Sequence, residues 1–196
     1  MPYQFRFFVH NDIVFQGQLQ CNRCIADNVD KTKCKRTVCL GLPYCFQHLK
    51  SLKHLQIRDS EIPDSGKGLF AVDPTARRAN AVVFNTGGDI CDYHGELIDK
   101  AELVRRYGIY NAPYGMTIKE KERYEDGALV RGVGTLVNHM PGNRANACFK
   151  VVMLNKKAHH VKLQALKPIR NGDEIYVDYG DKYVFDEPTS YSTRPR

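Results

Sequence analysis

Five cysteines and one histidine crowd the segment Cys21-x2-Cys24-x9-Cys34-x4-Cys39-x5-Cys45-x2-His48. Thiolate and imidazole are the ligands zinc prefers in a tetrahedral set of four, and two ligands two residues apart can face one ion from a single tight turn. Cys45 and His48 form such a pair, and either Cys24 with Cys34 or Cys21 with Cys24 completes a site. Six candidates exceed what one ion needs, so a two-ion cluster sharing sulfurs and a set of free buried thiols are the competing arrangements. Such cysteine density in a reducing compartment points to metal rather than to disulfides.

The elements that must hold these residues follow from composition. At 196 residues and 42% hydrophobic, the chain can bury one core and carry one small annex. No apolar run approaches the roughly 18 residues that span a bilayer, and the start Met1-Pro2-Tyr3-Gln4 lacks the cleavage site of a signal peptide, so a soluble intracellular protein with no membrane partner is expected. Residues 3–19 alternate aromatic and branched side chains around His10-Asn11-Asp12 and predict a β-hairpin. Residues 21–54 have little apolar periodicity and need a metal or a neighbouring surface to fold. They end in a connector, Leu49 to Leu55, that reads as no more than a short helical turn. From residue 55 short strands are expected at 55–58, 68–72, 81–84, 89–94, 114–119, 147–154, 160–165 and 174–178. One clear helix starts at the N-cap Asp99, with Glu102 three residues on, and stops at Gly108. The fold class is therefore mainly β (α+β), built of small twisted sheets. Residues 1–20 form the hairpin, 21–54 a zinc-binding module, 55–185 the main domain and 186–196 a flexible tail.

Charge is unevenly placed. Residues 1–60 carry nine Lys/Arg against four Asp/Glu, whereas 171–187 holds six acids and one base, Lys182. A basic front suits a phosphate backbone and the acidic stretch a cationic peptide, although two solvated faces are the plainer account of the bias by itself.

Four further landmarks occur in order: Ser65-Gly66-Lys67-Gly68-Leu69-Phe70-Ala71, Tyr93-His94-Gly95-Glu96-Leu97-Ile98, Val137-Asn138-His139, and Asn171-Gly172-Asp173-Glu174-Ile175-Tyr176-Val177-Asp178-Tyr179-Gly180-Asp181-Lys182-Tyr183. Each alone is a common turn or strand end. Their order and spacing over residues 55–185 resemble the SET-domain family of protein lysine methyltransferases, and the last segment is especially similar to the minimal viral enzymes that methylate histone H3. The resemblance implies a β-clip fold in which the C-terminal segment threads beneath an earlier loop as a pseudoknot, bringing Asn138-His139 against Tyr179.

It also implies a site. Lys67, Gly68 and Leu69 would present backbone to S-adenosylmethionine, Asn138, His139 and Tyr179 would complete the cofactor site, and Phe185 would pack on the adenine. Tyr179 would hold the lysine amine in line with the methyl group, Tyr183 would limit how many methyl groups fit, and Tyr114 is a candidate third wall. Arg131 and Asp126 would brace the site. An amine of pKa ~10.4 exposes its lone pair at pH ~7.5 at a cost of about 4 kcal/mol, and an apolar channel lowers that cost by disfavouring the ammonium. Aromatic walls with hydroxyls orient such an amine without trapping it in an ion pair. Catalysis is then mainly alignment and desolvation.

Within the cysteine-rich segment, Cys24-x9-Cys34-Lys35-Arg36 with Gly41-Leu42-Pro43-Tyr44-Cys45-x2-His48 resembles a small Cys3His knuckle of large-virus and some eukaryotic proteins. That resemblance selects Cys24, Cys34, Cys45 and His48 as ligands of a structural zinc, with Cys21 and Cys39 in reserve. The chain departs from the SET pattern at Asn138-His139-Met140-Pro141-Gly142-Asn143-Arg144-Ala145-Asn146, where Met140 replaces a serine and extra residues precede Asn146. No cysteine follows Cys148, so the zinc-binding cap of many nuclear enzymes has no counterpart. The implied partners are a histone tail, H3 first, or another lysine-containing protein, with nucleosomal DNA for the basic front and a homodimer as in the viral enzymes. The implied location is the nucleus (the host nucleus for a viral protein), otherwise the cytoplasm. The alternatives are methylation of a non-histone protein, a catalytically silent chromatin-binding module, and a zinc-dependent DNA-binding protein using the SET-like part as scaffold.

Overall fold

The structure, a computed structural model, describes residues 4–9, 12–75, 80–108, 112–118, 123–155 and 158–180. Alternation of aromatic residues gives one oily face to the antiparallel hairpin of β1 (Gln4–Val9) and β2 (Asp12–Gln18). Phe5, Phe7 and Phe15 bury that face against Tyr107, whose ring meets Phe7 and Phe15 edge-on at 5.2 and 5.5 Å.

The segment that follows has only a two-residue ladder, β3 (Asn22–Arg23) with β4 (Thr37–Val38), and then the helix α1 (Phe46–Lys53). One clear helix is expected in the chain, and only a short helical turn here. A single buried residue, Leu49, leaves no apolar stripe to read, so the helix depends on its ends: Cys45 is the N-cap, and His54 enters the left-handed region at φ 56° to donate its N–H to Leu49.

Next come β5 (Leu55–Asp59) and β6 (Lys67–Ala71), paired antiparallel, then β7 (Val82–Phe84), β8 (Asp89–Asp92) and β9 (Glu96–Asp99). Helix α2 (Lys100–Tyr107) begins where the Asp99 carboxylate accepts from the Glu102 amide at 2.8 Å, and Gly108 closes it at φ 64°. The strands β10 (Gly115–Ile118) and β11 (Arg123–Asp126) join β9 in a three-stranded sheet of order β10-β11-β9. The remaining strands are β12 (Asn138–His139), β13 (Ala147–Asn155), β14 (Ala158–Ala165), β15 (Ile169–Arg170) and β16 (Tyr176–Val177). They form a five-stranded sheet ordered β12-β16-β13-β14-β8, with β15 paired to β7.

The main core lies beneath this sheet. Leu55, Leu69, Val137, Leu163, Ile169 and Ile175 are each 2% exposed or less, and each contributes about 1.5–3 kcal/mol by leaving water. Four of the expected strands are shorter than predicted, 81–84 beginning only at Val82 and 114–119 only at Gly115. The run 89–94 ends at Asp92, and in 174–178 only Tyr176–Val177 is strand, with Glu174 making one isolated bridge to Phe70. Among the described residues, no helix is long and apolar enough to cross a membrane.

Candidate active site and metal-ligand cluster

Strand β16 is inserted between two pieces of chain that precede it. It runs parallel to β12 (Asn138 opposite Tyr176, His139 opposite Val177) and to the start of β13 (Ala147 opposite Val177). Asn146 makes this junction possible. Its Oδ1 accepts from the Tyr176 amide at 2.8 Å, its Nδ2 donates to the Glu174 carbonyl at 2.8 Å, and its backbone N–H donates to the Tyr176 carbonyl at 3.1 Å. A side-chain amide thus supplies the donor and acceptor that a neighbouring strand would. The residues inserted between His139 and Asn146 fold into a single 3-10 turn at Gly142–Arg144, tied down by the Gly142 amide donating to Asp178 Oδ2 at 2.8 Å. The insertion therefore leaves Asn146 free to reach the threaded strand.

Threading sets Tyr179 beside His139. The Tyr179 amide donates to His139 Nδ1 at 3.0 Å, the two rings lie 5.2 Å apart, and the Tyr179 hydroxyl donates to the Val137 carbonyl at 2.5 Å. With its proton committed there, the oxygen offers lone pairs to any further partner. The His139 side chain therefore works on the backbone of Tyr179.

Asn138 faces the other way. Its Nδ2 donates to the Lys67 carbonyl at 3.1 Å and to Glu174 Oε1 at 3.0 Å. Glu174, 2% exposed, also accepts from Ser60 Oγ at 2.8 Å, the Glu61 amide at 2.6 Å and the Tyr176 hydroxyl at 2.9 Å. Burial, and then this carboxylate, push the Tyr176 hydroxyl pKa up, so it stays a donor. A β-carbon at Gly68 would collide with the Glu174 carboxylate, which is why this position of the Gly-rich turn carries no side chain. Leu69 is fully buried and its carbonyl accepts from the Ile175 amide at 2.8 Å. Lys67, Gly68, Leu69, Asn138, His139 and Tyr179 therefore gather around one crossing of the chain.

A second tyrosine lies behind Tyr179. Tyr93 is 5% exposed, packs edge-on to Phe149 at 5.2 Å and donates its hydroxyl to the Tyr114 carbonyl at 2.6 Å. Burial first, then the nearby Tyr179, Asp126, Tyr114 and Glu125, raise its pKa well above the usual phenol value, so it remains neutral. The Tyr114 ring lies against Phe5 at 5.6 Å, with the Arg131 guanidinium 4.6 Å from its centroid. Arg131 also donates to the Gly127 and Ala128 carbonyls, and Asp126, fully buried, accepts from Arg106 Nη1 at 2.8 Å, Tyr107 at 2.9 Å and the Ala128 amide at 3.0 Å. Both side chains are thus tied into the surrounding framework. Tyr183, Phe185 and the tail 186–196 lie outside the described residues.

The approach to this crossing suits a ligand that binds backbone. Around Gly66 at φ 67° and Gly180 at φ 84°, an added β-carbon would meet nothing within 4 Å among the described residues. Such bare backbone fits the amino-acid end of a cofactor. The Asn138 and His139 edge, already shaped by Glu174 and Tyr179, closes one side of it.

The cysteine-rich segment gathers four ligands elsewhere. The ligating atoms of Cys24, Cys34, Cys45 and His48 all lie within 4.8 Å of one another. Cys24 Sγ is 3.3 Å and Cys45 Sγ 3.5 Å from His48 Nδ1, and the Cys34 and Cys45 sulfurs are 4.0 Å apart. Tetrahedral zinc with bonds of about 2.3 Å to sulfur needs sulfurs roughly 3.7 Å apart, so the set has the chemistry and size for one ion. Cys21 and Cys39, the reserve ligands, stand outside this set. The register Asn22 opposite Val38 sets them face to face, and they form a disulfide, correcting the expectation that metal alone accounts for this segment's cysteines.

A strand threaded through a closed loop, with an asparagine, a histidine and a tyrosine meeting where the segments cross, defines the class. The chain belongs to the SET-domain family, whose model matches residues 13–180. Among curated proteins it is similar to histone-lysine N-methyltransferase EZH2 of Chaetomium thermophilum, 26% identical over 140 residues, which cover 67% of this chain and 8% of that protein. Among solved structures it is similar to the Chaetomium thermophilum polycomb repressive complex 2, with TM-score 0.55 and 26% identity over 67% of this chain and 16% of the matched one. It is equally similar to an autoinhibited form of ctPRC2 bound to S-adenosylmethionine, and an active polycomb repressive complex 2 in the basal state matches with TM-score 0.54 and 28% identity, covering 66% of this chain and 15% of that one. The chain thus spans a small part of the length of these relatives.

Proposed function

We propose that the protein is an S-adenosylmethionine-dependent protein lysine methyltransferase that modifies a histone tail, H3 before others, in the nucleus. The observation that carries this reading is Tyr179 pinned at both ends, its amide on His139 and its hydroxyl on the Val137 carbonyl, beside the Asn138 and Gly68 crossing. A fixed hydroxyl oxygen that can only accept orients an amine through its N–H and leaves the nitrogen lone pair free, which direct transfer requires. The bound cofactor supplies a sulfonium-activated methyl group. Lys67 to Leu69, Asn138, His139 and Tyr179 would hold it, and Phe185 is proposed for the adenine. Tyr93 and Tyr179 would line the amine's approach with hydroxyls, Tyr114 would back it through its carbonyl, and Tyr183 would set product size. Membership of the SET family and likeness to a complex that binds S-adenosylmethionine support this assignment.

Mass spectrometry of a histone H3 peptide series after incubation with the donor tests the proposal. Methyl increments on one H3 lysine are expected. Labelling restricted to non-histone proteins of a cell extract would move the substrate elsewhere, and absence of donor binding by calorimetry would leave a silent chromatin module.

Zinc is the proposed occupant of Cys24, Cys34, Cys45 and His48, as a structural ion that orders the knuckle. One zinc per chain is expected by elemental analysis, and Cys34→Ser should lose it. Chelation should bring fast amide exchange to residues 22–38 while β13 and β14 stay protected. Protein free of metal with an equally protected knuckle would refute this role.

A further inference from the structure

The knuckle carries a surface that methyl transfer does not use. Residues 21–54 hold seven Lys/Arg and two Asp, five of the chain's seven net positive charges. Both acids are consumed locally. Asp27 pairs with Lys33 at 2.7 Å, and Asp30 Oδ1 accepts from the Thr32 amide at 3.0 Å and its hydroxyl at 2.6 Å, folding the turn in which Lys31 takes φ 66°. Lys31, Lys35 and Arg36 are exposed and, among the described residues, make no ion pair.

These cations are held by the ligand cluster. Cys34 is buried between Lys33 and Lys35, its amide donates to the Ala26 carbonyl at 3.0 Å, and the Cys24 amide donates to the Arg36 carbonyl at 2.9 Å. An open cleft beside Cys34 is lined by Asn28, Thr32, Lys33, Lys35 and Arg36, all hydrogen-bond donors, with no carboxylate among them. Arg36 lies 6.0 Å over the ring of Phe46, which is 74% exposed, and Lys50, exposed one turn further along α1, extends the same face.

We propose that this face binds the phosphate backbone of duplex DNA without regard to sequence. Long exposed cations around a donor-lined cleft match phosphate oxygens. The cleft has no aromatic lining on which bases could stack, and Phe46 alone is too little for a single-strand platform. Because α1 runs straight into β5, and β5 pairs with the Gly-rich strand β6, a duplex held here is rigidly referenced to the candidate active site. The inference rests on the knuckle alone and stands or falls independently of the transferase reading.

Fluorescence anisotropy of the full chain with two unrelated labelled 30-base-pair duplexes, over a salt series, tests it. Equal affinity for both is expected, with log K falling linearly in log salt. The triple variant Lys31→Ala, Lys35→Ala, Arg36→Ala should weaken binding about tenfold or more and flatten the slope by roughly 2.7, the yield of three phosphate contacts. Its thermal midpoint should match the wild type, since all three side chains are exposed. Wild-type affinity in the triple variant, preference for one duplex, or tighter binding of single-stranded DNA or RNA would each overturn the proposal.

Discussion

Tyr179→Phe is expected to lower methyl-transfer turnover by about two orders of magnitude, the usual cost of losing one preorganised polar contact at a reacting centre. The amide bond to His139 and the 5.2 Å ring contact do not involve the hydroxyl, so the backbone crossing and donor affinity should persist. What disappears is the oxygen held at 2.5 Å from the Val137 carbonyl, the acceptor proposed to orient the amine. Thermal stability should fall by only about 1 kcal/mol, the typical net worth of one hydrogen bond. Turnover and donor binding, measured on the same preparation by mass spectrometry and calorimetry, separate these effects. Unchanged turnover would remove Tyr179 from the chemistry.

Glu174→Ala should have the largest effect on the fold. The wild-type carboxylate takes donors from Ser60, Glu61, Asn138 and Tyr176, four positions spread over more than a hundred residues of chain. Removing it strips neutral, part-buried donors of their acceptor, at about 1–3 kcal/mol for each one left unsatisfied, and opens a void beneath Gly68. For a chain of this size the melting temperature should drop by roughly 10 °C. Donor affinity should fall with it, because Asn138 loses the partner that aims it across the Gly-rich turn. Glu174→Gln keeps the shape but replaces one acceptor with a donor, so an intermediate loss is expected. A melting temperature for Glu174→Ala within ~2 °C of wild type would show that the four contacts are not coupled.

Local chemistry made some features legible and not others. The N-terminal hairpin and α2 were readable because alternation and an N-cap are written in adjacent residues. In sequence Glu174 reads only as part of an acidic turn, since three of its four donors come from residues 60, 61 and 138. Asn146 could not be placed while the inserted residues before it had no known shape, and the Asp178 contact that folds them crosses 36 positions. Tyr93 passed as a strand end, because its value depends on β10 bringing the Tyr114 carbonyl within 2.6 Å. Helix α1 was missed for the opposite reason: with one buried residue it has almost no pattern of its own. The four knuckle ligands came from resemblance, and the spacing alone did not say that residues 21 and 39 face each other.

Synthesis order gives the threaded strand one more meaning. Asn138, His139 and the Gly-rich turn leave the ribosome well before Tyr176 and Val177, yet β12 has no described strand partner except β16. A nascent chain can therefore complete its hairpins and the β13–β14 pair while the candidate site is still incomplete. Only when Tyr176 and Val177 pair with β12 and β13 do the two halves of the candidate site meet, so a copy terminated before Tyr176 would lack that junction.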